Sequence, residues 1–123
     1  MITTEFDESQ GILKSKFEGV VKTEEIVEYI NASIHEDSLP KVLKILSDAR
    51  NAEFDLMPKD LSSITEANKN ALKRYDGIVD AFVLMNPYHT ALSILYQQLS
   101  EDSKYSFAIF STTDAAVKWL NSF

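Results

Sequence analysis

Short apolar runs that alternate with helix-like segments constrain this chain more than any other feature of its sequence. The runs Val42–Leu46, Ile78–Met85 and Tyr105–Phe110 have the length and composition of buried strands. After each run, apolar residues recur every three or four positions, which is typical of a helix with one buried face. Strands and helices in this alternation predict a largely parallel sheet with right-handed connections.

Local signals place the helices between these runs. Pro58 suits the first turn of one helix and Gly77 is placed to end it, whereas Asn86 and Pro87 have the character of a cap and a first helical position. Ser111–Asp114 has the spacing of a capping box before the last helix. The buried stripes are predicted to contain Leu61, Ile64, Leu72 and Tyr75 in the first of these helices, Ala91, Leu92, Leu95 and Leu99 in the second, and Ala116, Val117 and Leu120 in the third.

The first part of the chain predicts a β-hairpin and one more helix. Alternation over residues 2–6, a polar turn over Asp7–Gly11 and an extended segment from Ile12 to Glu18 form the hairpin, which Gly19 is expected to end. Thr23 is a good N-cap for the helix, whose apolar stripe is Ile26, Ile30 and Ile34. The predicted order is ββαβαβαβα, an α/β fold with a mixed five-stranded sheet and four helices in one domain over residues 1–123.

Three segments of the sequence resemble the SpoIIAA-like proteins of the STAS superfamily. They are Gly11-Ile12-Leu13 with Phe17 and Gly19, the stretch from Leu46 to Phe54, and the stretch from Ala115 to Leu120. The resemblance covers nearly the whole chain and agrees with the predicted order of elements. It implies a small cytoplasmic protein without an established reaction, which holds an apolar ligand or associates with a membrane surface.

The sequence departs from STAS anti-sigma-factor antagonists at one functional position. Those proteins carry an Asp-Ser pair at the start of the helix after the central strand, and phosphorylation of the serine switches partner binding. The corresponding junction here, Phe54–Asp60, contains no serine, and the pairs Asp37-Ser38 and Asp102-Ser103 fall in predicted loops, while Ser62 and Ser63 fall inside a helix. The resemblance therefore implies, as an alternative function, a protein-interaction module without the usual phosphorylatable serine.

Composition argues against several classes of function. Nineteen acidic and twelve basic residues give a net charge of −7, which disfavours nucleic acid as a partner. The absence of cysteine removes disulfides, thiolate zinc sites and cysteine nucleophiles, and the only histidines are His35 and His89, so neither a metal site nor a cofactor is expected. The N-terminus lacks signal-peptide character and no apolar run approaches the roughly 20 residues of a membrane span, so the expected location is the cytoplasm.

Polar residues at the carboxyl ends of the predicted parallel strands form the candidate site, because ligands of open parallel sheets bind there. Apolar residues of the long loop predicted over residues 51–57 complete it. The candidate ligand-binding residues are Asp48, Arg50, Phe54, Leu56, Met57, Asn86, Tyr88 and His89.

Each of these residues also has a purely structural interpretation. Asp48 and Arg50 either contact a ligand or pair with each other, and Asn86 is better explained as an N-cap. His89 is a candidate general base, although a surface histidine in the first helical turn is the simpler interpretation. The apolar loop residues form either a lid over a lipophilic ligand or part of the core.

The sequence ranks three functions. The first is a noncatalytic module that holds a small apolar or amphipathic ligand, or touches a membrane surface peripherally. The second is the protein-interaction module. An enzyme that uses Asp48, Arg50 and His89 comes last, because no Gly-x-Ser-x-Gly elbow, phosphate-binding loop or metal cluster accompanies them. If the chain self-associates, a symmetric homodimer is the expected form.

Overall fold

A computed structural model gives the fold and describes residues 1–34 and 36–123, with the side chain of Ile34 left undescribed. The predictions for His35 and for the Ile34 side chain therefore lie outside the described residues. A 3-10 turn, Pro58–Asp60, precedes the second helix. The elements are β1 (Ile2–Asp7), β2 (Ile12–Lys22), α1 (Thr23–Ile34), β3 (Val42–Asp55), α2 (Leu61–Leu72), β4 (Gly77–Val83), α3 (Pro87–Leu99), β5 (Tyr105–Phe110) and α4 (Thr113–Leu120).

The strands form one sheet in the order β1-β2-β3-β4-β5, with β1 antiparallel to β2 and the other neighbours parallel. This arrangement confirms the predicted mixed five-stranded sheet with four helices. The three crossovers all advance across the sheet in the same direction, so a common right-handedness puts α1, α2 and α3 on one face. On the other face α4 buries Ala116 and Leu120 against Val79 and Ala81 of β4.

The strand β3 is much longer than predicted. The sequence predicted a strand that ends at residues 47–50 and a loop over residues 51–57, but β3 continues to Asp55 and pairs with β2 as far as Lys22. Gly19 does not end β2 either, because a φ of 67° lets the strand turn locally and continue. One face of this extension is exposed and carries polar residues. The sequence therefore predicted a loop where the strand continues.

A bulge in β3 explains why the alternation of side chains changes along the strand. Lys16 pairs with Asp48 and Glu18 pairs with Asn51, so two residues of β3 lie opposite Phe17 of β2. The extra residue reverses which side chains face the helices. Odd-numbered residues of β3 face α1–α3 before the bulge, whereas Phe54 faces them after it.

The helix stripes are confirmed in α2 and α4 and only partly in α3. Leu61, Ile64 and Leu72 are buried in α2, and Tyr75 is buried just beyond the helix in the turn before β4. In α3 the prediction was wrong for two positions, since Ala91 and Leu99 are exposed while His89 and Leu92 are buried. Compared with the prediction, α3 is rotated about its axis, so that His89 faces inward and contacts Phe54 of β3.

Candidate ligand cavity

A cavity of about 110 Å³ lies between the sheet and the three helices α1, α2 and α3. Strands β2 to β5 form its floor, and the facing sides of the helices form its walls. Most of the lining is apolar, including Ile64 of α2 and Leu92 of α3. The aromatic rings of the lining are Phe17, Tyr29, Phe54, Phe82, Tyr96, Tyr105 and Phe107.

The aromatic rings pack against one another around the cavity. Phe82 of β4 lies 5.4 Å from Phe17 and 5.7 Å from Phe107, measured between ring centroids. Phe17 meets Tyr29 edge to face at 5.7 Å, and Tyr96 meets Phe107 in the same way at 5.2 Å. These separations fall in the range in which aromatic pairs attract one another, so the rings form a connected, stable wall.

A carboxyl group stands in the middle of this apolar floor. Asp80 lies on β4 with Ile45 of β3 and Phe107 of β5 as its lateral neighbours in the sheet. Its Oδ1 accepts a hydrogen bond from Ser47 Oγ at 2.9 Å, and its Oδ2 is 3.5 Å from the hydroxyl of Tyr105. Part of its surface remains accessible because it lines the cavity.

Burial raises the pKa of Asp80 to about 7, although the hydrogen bonds from Ser47 and Tyr105 oppose the shift. Removal of a carboxylate from water disfavours the charged form, and in this site that effect exceeds the stabilisation from its two donors. Asp80 is consequently divided between its neutral and charged forms near neutral pH. Such a group can either donate a hydrogen bond to a ligand or accept one from it.

Two pairs of hydroxyl groups add polar character to the cavity, which Tyr29, Tyr96 and Tyr105 line. Ser15 Oγ and the Tyr29 hydroxyl are 2.6 Å apart, and the hydroxyls of Tyr96 and Tyr105 are 3.0 Å apart. Burial raises the pKa of each of these three tyrosines, and the nearby charge of Asp80 raises it further. All three therefore stay neutral and keep their protons at physiological pH.

His89 is buried, which corrects the interpretation of it as a surface histidine. Its Nε2 accepts a hydrogen bond from the Phe54 backbone N–H at 3.3 Å, and its ring meets the Phe54 ring edge to face. Burial lowers its pKa, and Glu53 partly opposes this shift. His89 lines the cavity but its Nε2 already has a partner within the protein.

Asp48 and Arg50 pair with each other and do not line the cavity. Arg50 donates from Nε to Asp48 Oδ1 at 2.9 Å and from Nη2 to Oδ2 at 2.8 Å. Asp48 directly precedes the bulge in β3 and Arg50 belongs to it, so neither lies at the end of the strand and the expected position at a strand terminus was wrong. The structure does not bring this pair together with His89 as one polar set.

The remaining predicted site residues divide between the cavity and the surface. Phe54 and Leu56 line the cavity, with Leu56 buried, whereas Met57 is 59% exposed. Asn86 caps α3 by accepting hydrogen bonds from the N–H groups of Tyr88 and His89. Tyr88 is exposed.

Comparison with known proteins identifies the fold. No family model and no curated protein matches the sequence. Among solved structures, an uncharacterized protein from Shewanella loihica of the DUF3478 family, described as having a SpoIIAA-like fold, matches with a TM-score of 0.63 and 14% identity over 98% of this chain and 92% of that one.

The chain has a SpoIIAA-like fold. Two structures of SpoIIAA match as well. The anti-sigma factor antagonist SpoIIAA in its unphosphorylated form has a TM-score of 0.54 and 12% identity, with both chains covered fully. The Bacillus cell fate determinant SpoIIAA in its phosphorylated form has a TM-score of 0.52 and 15% identity, over 98% of this chain and 99% of that one.

Within this SpoIIAA-like fold, the junction between β3 and α2 has its own cap. Asp60 accepts a hydrogen bond from the Met57 backbone N–H at 2.8 Å, which orders the 3-10 turn that starts at Pro58. Ser62 and Ser63 lie exposed in the first turn of α2. The junction over residues 54–60 is thus ordered by Asp60, at the end of the 3-10 turn, and contains no serine.

Sequence reasoning missed the polar groups of the SpoIIAA-like core. Asp80 is a charged residue inside an apolar strand, and Ser47 was interpreted as the end of a strand that in fact continues. An aspartate that interrupts the run Ile78–Met85 was the signal that could have found the site, since a charge in a central strand needs a special environment. The tyrosines carried no comparable signal, because aromatic residues are common in any core.

Two further properties hold for residues 1–34 and 36–123. No cluster of three or more histidine, aspartate or glutamate side chains there has a geometry suited to a metal ion. No helix in the same ranges is both long enough and apolar enough to cross a bilayer.

Proposed function

We propose that this protein is a noncatalytic binding module that holds a small amphipathic ligand in the cavity beneath α1, α2 and α3. The observation that carries the proposal is the combination of an apolar cavity and a polar floor centred on Asp80. Protein cores are usually packed without voids of this size. A volume of about 110 Å³ that combines apolar walls with polar groups is typical of a site for a small ligand.

The positions of the three apolar residues predicted for the long loop favour binding of a ligand over association with a membrane surface. Phe54 and Leu56 point inward to the cavity, so only Met57 of the three is left exposed for contact with lipid. One exposed side chain offers little apolar area for insertion. The net charge of −7 also opposes binding to anionic headgroups.

A native mass spectrum of freshly purified protein, compared with its denatured mass, tests the proposal. Extra mass that disappears on denaturation supports it and identifies the compound. A matched pair of variants locates the compound: Ala71→Leu places a larger side chain into the cavity wall, whereas Ala91→Leu adds the same atoms to the exposed face of α3. Equal retention of the compound by both variants would exclude the cavity.

A protein-interaction module is the second candidate, and one observation favours it. Met85 is 71% exposed and Tyr88 is 53% exposed, close together in sequence at the start of α3. Solvent-exposed apolar residues in a group are typical of contact surfaces. A similar structure is described as an anti-sigma factor antagonist, and a protein partner in the cytoplasm is the corresponding proposal for this chain.

A paired affinity experiment distinguishes this second candidate. A partner that docks at α3 is retained by the wild type, lost with the double variant Met85→Glu and Tyr88→Glu, and retained by Val42→Glu, whose exposed apolar residue lies at the start of β3. A protein retained equally by all three chains is a nonspecific contaminant, and this result would count against docking at α3.

A further inference from the structure

We infer that the cavity selects a small amine, with its ammonium group against Asp80 and its apolar body among the aromatic rings. This inference rests on the proposed binding function and names the class of its ligand. The ligand is recognised by one buried carboxyl group, by neutral hydroxyl groups and by ring surfaces, which together favour a compact organic cation.

The charges in the cavity exclude the opposite kind of ligand. Among the described side chains of the lining, Asp80 is the sole carboxyl group and there is neither lysine nor arginine. The one histidine of the lining, His89, is held in its neutral form by burial and accepts the Phe54 N–H through Nε2. A fatty-acid carboxylate would therefore meet a like charge on Asp80 and no positive partner.

The hydrogen bonds at Asp80 leave room for a donor from the ligand. An ionised carboxylate offers about four lone-pair positions. Ser47 fills one at 2.9 Å, and the Tyr105 hydroxyl lies at the long distance of 3.5 Å. Tyr105 has a single hydroxyl proton, and the Tyr96 hydroxyl is closer to it, at 3.0 Å. An ammonium group has three donors and would supply what these neighbours do not.

The aromatic lining suits the remainder of such a ligand. Tyr29, Phe82 and Phe107 belong to the ring array beside Asp80, and the faces of such rings attract cations in a desolvated site. The cavity, at about 110 Å³, is smaller than the roughly 150 Å³ engineered cavity that admits benzene. A chain of about four to six non-hydrogen atoms is therefore the size that fits without movement of the helices.

Titration with three probes of equal chain length tests the inference: n-pentylammonium, 1-pentanol and pentanoate, measured by calorimetry at pH 8, where Asp80 is charged. We expect pentylammonium to bind at least tenfold more tightly than pentanol, and pentanoate to show no binding. Asp80→Asn should abolish this preference for the amine. Asp76→Asn, which removes an exposed carboxyl group outside the cavity, should keep the wild-type order.

Acidification provides a second readout. The affinity for pentylammonium should fall as the pH is lowered from 8 to 6.5, because Asp80 takes up a proton, whereas the affinity for pentanol should change little. In this range the other titratable groups that face the cavity keep their neutral forms: burial raises the pKa values of Tyr29, Tyr96 and Tyr105 and lowers that of His89 below its ordinary value of 6.5.

The outcomes separate this inference from the proposed function. If pentanol binds as tightly as the amine to the wild type, or if Asp80→Asn retains the preference, the inference is wrong and the binding function stands. If none of the three probes binds, both fail, because a cavity of this size that admits no five-carbon chain does not serve as a ligand site.

Discussion

Ser47 donates a hydrogen bond to Asp80 across two neighbouring parallel strands, with 2.9 Å between Oγ and Oδ1. The two residues are not direct partners, since Ser47 lies opposite Phe82 and Asp80 lies opposite Ile45. The bond therefore runs diagonally along the face of the sheet beneath the helices. It is shorter than the contact between the Asp80 carboxyl group and Tyr105, yet the pKa of that carboxyl group stays near 7.

Replacement of Asp80 by asparagine should change how stability depends on pH. The pKa of Asp80 is about 7 in the folded protein against an ordinary value of 3.8, so the folded state binds more protons than the unfolded state between these values. Wild-type stability should therefore fall as pH rises from about 4 to about 7 and then level off. Asp80→Asn should lack this fall and exceed the wild type at pH 8 by up to about 4 kcal/mol.

Urea unfolding at pH 5, 6, 7 and 8 measures this difference. Asp76→Asn serves as the control, because its exposed side chain should leave the wild-type profile unchanged. Parallel pH profiles for the wild type and Asp80→Asn would contradict the assignment of a raised pKa to the buried Asp80 carboxyl group.

Replacement of His89 by leucine should destabilise the fold. The Phe54 N–H would lose its acceptor in a partly buried place, which costs about 1–3 kcal/mol. Burial lowers the pKa of His89, so its contribution is complete above the ordinary value of 6.5 and is lost as the pH falls through the folded-state value. Thermal unfolding at pH 7.5 should show the loss for His89→Leu and almost none for Tyr88→Leu, which alters the exposed neighbour.

Two glycine variants should separate backbone strain from steric contact. Gly19 has a φ of 67°, and no neighbouring atom would lie within 4 Å of an added Cβ, so Gly19→Ala should cost about 1–2 kcal/mol through backbone strain alone. Gly77 has no positive φ, and an added Cβ would meet the Lys104 carbonyl oxygen at an acceptable 3.6 Å. Gly77→Ala should change the free energy of unfolding by less than about 0.5 kcal/mol. Equal losses in chemical denaturation would argue against the left-handed turn of β2 at Gly19.

Replacement of Arg50 by glutamine tests whether a ligand binds in the cavity or at the site that the sequence predicted from the strand ends. The pair with Asp48 is bidentate but partly exposed, so its loss should lower the melting temperature by no more than about 3 °C. Binding of pentylammonium should be unchanged, since Arg50 does not line the cavity. A tenfold loss of affinity in Arg50→Gln would instead place the ligand at the bulge.

The sequence predicted the order of the elements well because each depends on a local pattern. The Asn86 cap acts within three residues and the structure confirms it, whereas α4 is capped by Thr112 and not by the capping box predicted from Ser111 to Asp114. The extension of β3 could not be predicted in the same way. Its bulge reverses the alternation after Ala49, and the polar residues of the extension resemble a loop until the pairing with β2 is known.

The sequence did not predict the cavity, because the rule that places ligands at the ends of parallel strands was applied to a sheet that does not meet its conditions. Ligands bind at the carboxyl ends of parallel strands where the strand order reverses and neighbouring crossovers diverge to opposite faces. The order β1-β2-β3-β4-β5 contains no such reversal, so the condition of the rule is not met in this sheet. The cavity lies instead beneath the helices, where Phe54, Leu56 and His89 are the members of the predicted set that line it.

The extension of β2 and β3 beyond the rest of the sheet has a kinetic consequence. Past the bulge, Glu18–Lys22 pairs with Asn51–Asp55, while β4 ends opposite Asp48, so this part is a parallel ribbon of two strands. A part of a sheet that only two strands form has fewer strand neighbours than the centre, so it opens more readily. Because Phe54 belongs to this ribbon and to the cavity wall, the rates of ligand entry and release should follow the opening rate of the ribbon, and its amides should exchange with solvent more slowly when a ligand is bound.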